Sequence, residues 1–294
     1  MIDIDLIGSE AFCQNYIHAF NRNKTPIHCY TYFIENTIQH LIESDFSFAK
    51  NSHLLIEFIE TDQFEWILSM LRNGKSIFIE QADLNSIQIH EIYQIATEAN
   101  NKCIILNTNE YFSIFQQIEK KINTPYFVEM FLEYGIENTY LLNQELASTV
   151  NQTMQYLVSI FKSEIKQISI KPAKIFSIQN DFVSIRLDFS NGTSVSIKMS
   201  AFLKNENKQI KIYQNEIIYH LNLSQPSISQ EILENNYIST YNININLVNT
   251  IDCKVKDILN FINNSEMPFY SLLDNYLYMD LTSKIMKKYN SLLE

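Results

Sequence analysis

The sequence predicts an α/β domain on a parallel sheet, followed by an α+β domain whose sheet is mostly antiparallel. Three observations carry this. Strand-like runs alternate with helical patterns over the first 120 or so residues, the pattern of βαβ units. The character changes at Pro125, after which one long helix leads into successive strand-like runs. Between two of those runs stands Asn191-Gly192, the strongest short hairpin signal.

Ile2–Ile7 reads as a short buried strand, followed by Gly8 and a helix over Glu10–Phe20. Pro26 precedes a second strand at Ile27–Phe33, and a helix is expected at Asn36–Ile42. Leu54–Ile59 is the third strand. An amphipathic helix at Asp62–Leu71 is closed by Asn73-Gly74, since glycine just past a helix end is a stop signal. Ser76–Glu80, Leu84–Ala99, Cys103–Asn107 and Glu110–Lys121 continue the alternation as strand, helix, strand and helix. In the second part Tyr126–Glu133 reads as a strand and Gln144–Phe161 as a long helix. Strands follow at Ile165–Ile178, Phe182–Phe189, Ser194–Met199, Gln209–Tyr213 and Glu216–Leu221, and helices at Val255–Asn263 and Phe269–Leu293 close the chain. The domains predicted are 1–123 and 124–294.

Composition narrows the function. The 294 residues are 46% hydrophobic and 19% charged, enough to bury a core. The net charge is −11 and the only arginines are Arg22, Arg72 and Arg186. No basic face is available to displace counterions from nucleic acid, and an acidic surface disfavours anionic membranes. No apolar run reaches the ~18 residues of a membrane span, and the opening MIDIDLIGSE does not have the pattern of a signal peptide. Cys13, Cys29, Cys103 and Cys253 are scattered without metal-ligand spacing, so no metal site is expected. Buried, reduced thiols in a cytoplasmic protein are the expectation.

Three segments, IDIDLIG, residues 54–107 and DFVSIRLDFSNGTSVSIKMS, with the ending after FINNSEMPF, resemble the Gfo/Idh/MocA family, named for glucose–fructose oxidoreductase and inositol dehydrogenase. Gly74-Lys75 and Glu80 stand in register with the family's helix-ending Gly-Lys and its strand ending Glu-Lys-Pro. The resemblance implies a Rossmann-like, NAD(P)-binding-type domain, then an oxidoreductase-like α+β domain. It also implies association through the C-terminal sheet. The alternation that puts Val195, Ile197 and Met199 on one side leaves a face that needs covering, by helices of the same domain or by a partner.

The residues that would carry the family's chemistry are replaced. A GxGxxG turn lets the backbone approach a pyrophosphate at a helix N-terminus. Here the run is Gly8-Ser9-Glu10-Ala11-Phe12-Cys13. Glu10 brings a negative charge to the second glycine position, and unit charges about 4 Å apart repel by several kcal/mol at an intermediate dielectric. The simpler reading is that Ser9 caps the helix and Glu10 meets its dipole. Cys13, at a helix start, has either a lowered pKa or, beside Phe12, a buried and inert thiol. Glu35, after the second strand, is the candidate for ribose hydroxyls. The resemblance makes Gly8, Ser9, Glu10, Glu35 and Glu80 the cofactor-cleft positions.

The family's catalytic lysine falls at Gln81, with Ala82 for the proline. Its His-x-x-Asp pair falls at Gln152 and Gln155, and no His or Asp lies between Gln144 and Phe161. An amide hydrogen-bonds but cannot exchange a proton as a general acid or base. The histidine that commonly opens the helix before Gly-Lys falls at Gln63, with Asp62 as a helix cap. These losses predict a catalytically inactive protein that acts by binding a ligand or a protein, as a homo-oligomer or the partner subunit of a hetero-complex, with no cofactor. The alternative is a divergent oxidoreductase using NAD or NADP on a sugar-like or small carbonyl substrate.

Overall fold

The computed structural model describes residues 2–24, 26–33, 52–106, 112–119, 121–135, 146–147, 149–155, 157, 161, 163–176, 180–203, 206–234, 236–245, 249–264 and 272–292. The helix expected at Asn36–Ile42 lies outside them. The chain divides into two compact units. One comprises Met1–Glu110 with Val248–Met279, the other Tyr111–Leu247 with Asp280–Glu294. Neither unit is contiguous, so the division differs from a single cut at residue 123.

The first unit is built on a five-stranded sheet in the order β2-β1-β3-β4-β5, with every neighbouring pair parallel. Its strands are β1 (Ile2–Gly8), β2 (Ile27–Phe33), β3 (His53–Ile59), β4 (Ile77–Ala82) and β5 (Cys103–Ile105). Apolar side chains cover both faces. On one, Ile4, Leu6, Leu55, Phe78 and Ile104 pack with Phe12, Tyr16 and Phe20 of the first helix (Glu10–Arg22) and with Val255, Ile258 and Phe261 of the Thr250–Asn264 helix. On the other, Ile7, Ile56, Ile77, Ile79 and Ile105 pack with Ile67, Leu68 and Leu71 and with Ile89 and Ile92. These come from the helices Phe64–Arg72 and Ser86–Glu98. A parallel sheet buried on both faces explains the largely apolar character of its central strands β3 and β4.

The second unit holds an eight-stranded sheet in the order β13-β12-β11-β10-β6-β9-β8-β7. The strands are β6 (Phe127–Gly135), β7 (Ile165–Ala173), β8 (Phe182–Phe189), β9 (Ser194–Leu203), β10 (Asn207–Gln214), β11 (Ile217–Asn222), β12 (Ser227–Glu234) and β13 (Tyr237–Ile243). All pairs are antiparallel except β6 with β9. β7 carries Pro172 and is an edge strand, where a missing N–H is tolerated. Gly192, at φ +91°, turns the β8–β9 hairpin. Val195, Ile197 and Met199 are each 0% exposed, so their face of β9 is covered within the single chain. The strands β12 and β13 were not legible in the sequence.

Candidate functional site

The carboxyl ends of the first unit's strands are where an open α/β sheet receives ligands. β1 ends at Gly8, and Ser9 is the N-cap of the first helix, its hydroxyl accepting from the Phe12 N–H at 3.2 Å. Glu57 of β3 stands beside this turn, because Ile7 is in register with Ile56. Its Oε2 accepts from the Ser9 N–H and its Oε1 from the Ser9 hydroxyl at 2.9 Å. The approach is close. A Cβ placed on Gly8 would lie 2.6 Å from the Glu57 Cβ and 2.7 Å from the Phe12 ring, so this position requires glycine.

Glu10, in the first helical turn, is exposed. Glu10 thus stays in the first turn as an exposed acid, and Glu57 is the acid that takes the Ser9 donors. A pyrophosphate bound as in a dinucleotide fold needs the backbone N–H groups of this turn, and the Ser9 N–H is already held by a carboxylate. As arranged, these residues do not fit a dinucleotide phosphate. The Cys13 thiol is buried and donates to the Leu6 carbonyl at 3.8 Å. Burial, with the Glu57 charge second, pushes its pKa up to about 11, so of the two readings at this position the inert thiol is the one the geometry supports.

Glu80, near the end of β4, is held in an ion pair. Its Oε1 binds the Lys254 Nζ at 2.5 Å, with side-chain exposures of 17% and 6%. Tyr16 lies beside it. Burial, and then the Glu80 charge, hold the Tyr16 pKa well above the ordinary value. The Tyr16 hydroxyl and Glu80 Oε2 are both buried, close to each other. Gln81 is exposed on the strand end, and Ala82 closes the strand.

Gln63 is 2% exposed, and its side chain accepts from the Glu60 N–H at 3.1 Å. This forms a capping box with Glu60 over the short turn Thr61–Gln63. The cap is therefore Glu60, not Asp62, because the chain enters the helix through a 3₁₀ turn. Lys75 of Gly-Lys is buried near the amino ends of the strands, where it donates to the Ser52 hydroxyl at 2.9 Å. Ser52 in turn donates to the fully buried Asp5. Burial lowers the Lys75 pKa and raises that of Asp5. Glu35 lies outside the described residues.

In the second unit, helical residues 149–155 bury Val150 and Met154, leave Gln152 exposed and leave Gln155 half-buried. Asn151 accepts from the Thr282 hydroxyl at 3.1 Å. The stretch from Thr149 to Gln155 contains no acid or base. Among the described residues no group of His, Cys, Asp and Glu could hold a metal ion, and no helix is long and apolar enough to cross a membrane. Sequence reasoning missed Glu57 and Lys254. The sequence offered a signal only for Glu57, a charge inside the otherwise apolar run Leu54–Ile59, whereas Lys254 stands among other charged residues.

No protein-family model matches the sequence, and neither does any curated protein. Solved structures match over almost the full length. An NAD binding oxidoreductase from Klebsiella pneumoniae is 13% identical with a TM-score of 0.73, covering 99% of this chain and 97% of that one. UDP-N-acetylglucosamine 3-dehydrogenase from Acidithiobacillus ferrooxidans is 9% identical with a TM-score of 0.72, covering 97% and 96%. Biliverdin reductase from Synechocystis, in complex with biliverdin and NADP+, is 12% identical with a TM-score of 0.67, covering 97% and 98%. These neighbours are nicotinamide-dependent oxidoreductases, and they lend no support to the expectation that no cofactor is used. The chain has the fold of the Gfo/Idh/MocA-type oxidoreductases, a Rossmann-like parallel-sheet unit joined to one with a mostly antiparallel sheet.

Proposed function

We propose that this chain is a binding protein built on an NAD(P)-dependent oxidoreductase fold, without hydride-transfer chemistry of its own. One observation carries the reading: the positions that should move protons hold the amides Gln81, Gln152 and Gln155. Hydride transfer from an alcohol carbon, or to a carbonyl carbon, needs a partner that takes the proton from or gives it to the oxygen, and an amide does neither. Part of the same proposal is self-association, or pairing with another subunit, through the C-terminal sheet. The exposed Leu233, Tyr237 and Ile238 of β12 and β13 support it, and light scattering on the eluted protein tests it. A cytoplasmic location is proposed from the four free cysteines.

The second reading is a divergent NAD(P)-dependent oxidoreductase acting on a sugar-like or small carbonyl compound. The comparisons favour it over the first, because fold neighbours across the whole chain are nicotinamide enzymes. Titration of NADH and NADPH separates the two readings, and a turnover screen against sugars and carbonyl compounds follows if either binds.

A further inference from the structure

We infer that Glu57 is the resident anion of the first helix, a carboxylate built into β3 that closes this end of the fold to phosphate-bearing ligands. The inference rests on the binding-protein reading and supplies a physical cause for one part of it. A helix N-terminus offers unpaired N–H groups and a partial positive charge. Here the Ser9 N–H and hydroxyl both go to the two oxygens of one carboxylate, and the Phe12 N–H goes to the Ser9 oxygen. This two-pronged arrangement is how an anion is ordinarily held at such a turn.

The space is taken as well as the donors, since Glu57 and the Phe12 ring both lie within 2.7 Å of where a Cβ on Gly8 would be. The carboxylate is held in place by its strand. β3 pairs with β1 up to Ile56 and with β4 on the far side, burying Leu55 and Ile56 on either side of the sheet. Glu10 adds a second negative charge one residue after Ser9. No guanidinium offsets them within the helix, because Arg22 sits in its last turn on Asp252. A phosphate would have to displace a covalently tethered competitor while facing a like charge. Any ligand accepted at this end is therefore of a class without phosphate.

The test is calorimetric titration of inorganic pyrophosphate and of ADP into the full-length chain and into Glu57→Ser and Glu57→Gln, each checked for native circular dichroism. The wild type is expected to give no binding at millimolar ligand, and E57S to gain about tenfold or more in affinity as the tethered charge is removed. E57Q, which keeps the side-chain size and removes the charge, falls between them. It provides the same contrast if serine at position 57 loosens the fold. Wild-type binding as tight as the variants' overturns the inference. So do folded variants that bind no better than an inert wild type, and that outcome leaves the absence of hydride transfer standing on Gln81, Gln152 and Gln155.

Discussion

Removing the Lys254 ammonium leaves the largely buried Glu80 carboxylate, beside the Tyr16 hydroxyl, without its charge partner. An orphaned buried charge is among the costlier single-residue changes. Lys254→Met is expected to lower stability by about 3–5 kcal/mol. Replacing both partners with apolar residues is expected to recover most of that loss. Denaturant melts of the two variants measure it, and a single-variant loss below about 1 kcal/mol would mean that the pair is solvated. Residues of this kind are the least legible in a sequence. The Ser9 cap could be read from its neighbours, because a cap acts three residues away. Glu57 reaches Ser9 across 48 positions, and Lys254 reaches Glu80 across 174. Nothing local marks either contact, so the acid at the helix start was sought at Glu10, which the structure leaves exposed.

At the scale of elements, strands packed against a core were the more readable. β8, which buries alternate residues, runs Phe182–Phe189 as its composition predicts, and the half-buried β2 runs Ile27–Phe33. β12 buries only Ile228, and β13 buries none of its residues, so no apolar run or clean alternation exposes them. Their pairing is set by register with β11. The Thr250–Asn264 helix carries a titration signal of its own. Burial pushes the Asp257 carboxyl from 3.8 up to about 6. Its folded pKa lies above its unfolded one, so the folded state holds the proton more tightly. Its contribution to stability is best below about pH 4, declines as pH rises toward about 6, and then levels off. Asp257→Asn is expected to remove that decline and to stabilise the chain at pH 7 by about 1–2 kcal/mol. Melts of both proteins from pH 4 to pH 8 check it, and parallel curves would show the carboxyl to be solvated.

On the whole-molecule scale, the class of each sheet was written in the spacing of apolar residues, while the division of the chain was not. Val255, Ile258, Leu259 and Phe261, far along the sequence, complete one face of the first sheet. A fragment of residues 1–123 would expose that face to water, at about 25 cal/mol per Å² of apolar surface uncovered. It is expected to lack a cooperative thermal transition, whereas residues 1–110 joined by a linker to residues 248–279 regain one. A fragment 1–123 that melts cooperatively by circular dichroism would contradict the unit boundaries. The fold itself is that of nicotinamide-dependent oxidoreductases, so scaffold and site pull in opposite directions. On the proposed reading, the acid at the helix start and the three amides set this chain apart from those enzymes.

Titrating NADH and NADPH into the full-length chain, with heat and melting temperature followed together, sets these against each other directly. The account predicts no heat of binding and no melting shift at millimolar cofactor. A ligand a hundredfold above its Kd adds about 2.7 kcal/mol and raises the melting temperature by several degrees. A shift of that size with either nucleotide would contradict the closed helix start and make the divergent oxidoreductase the better description.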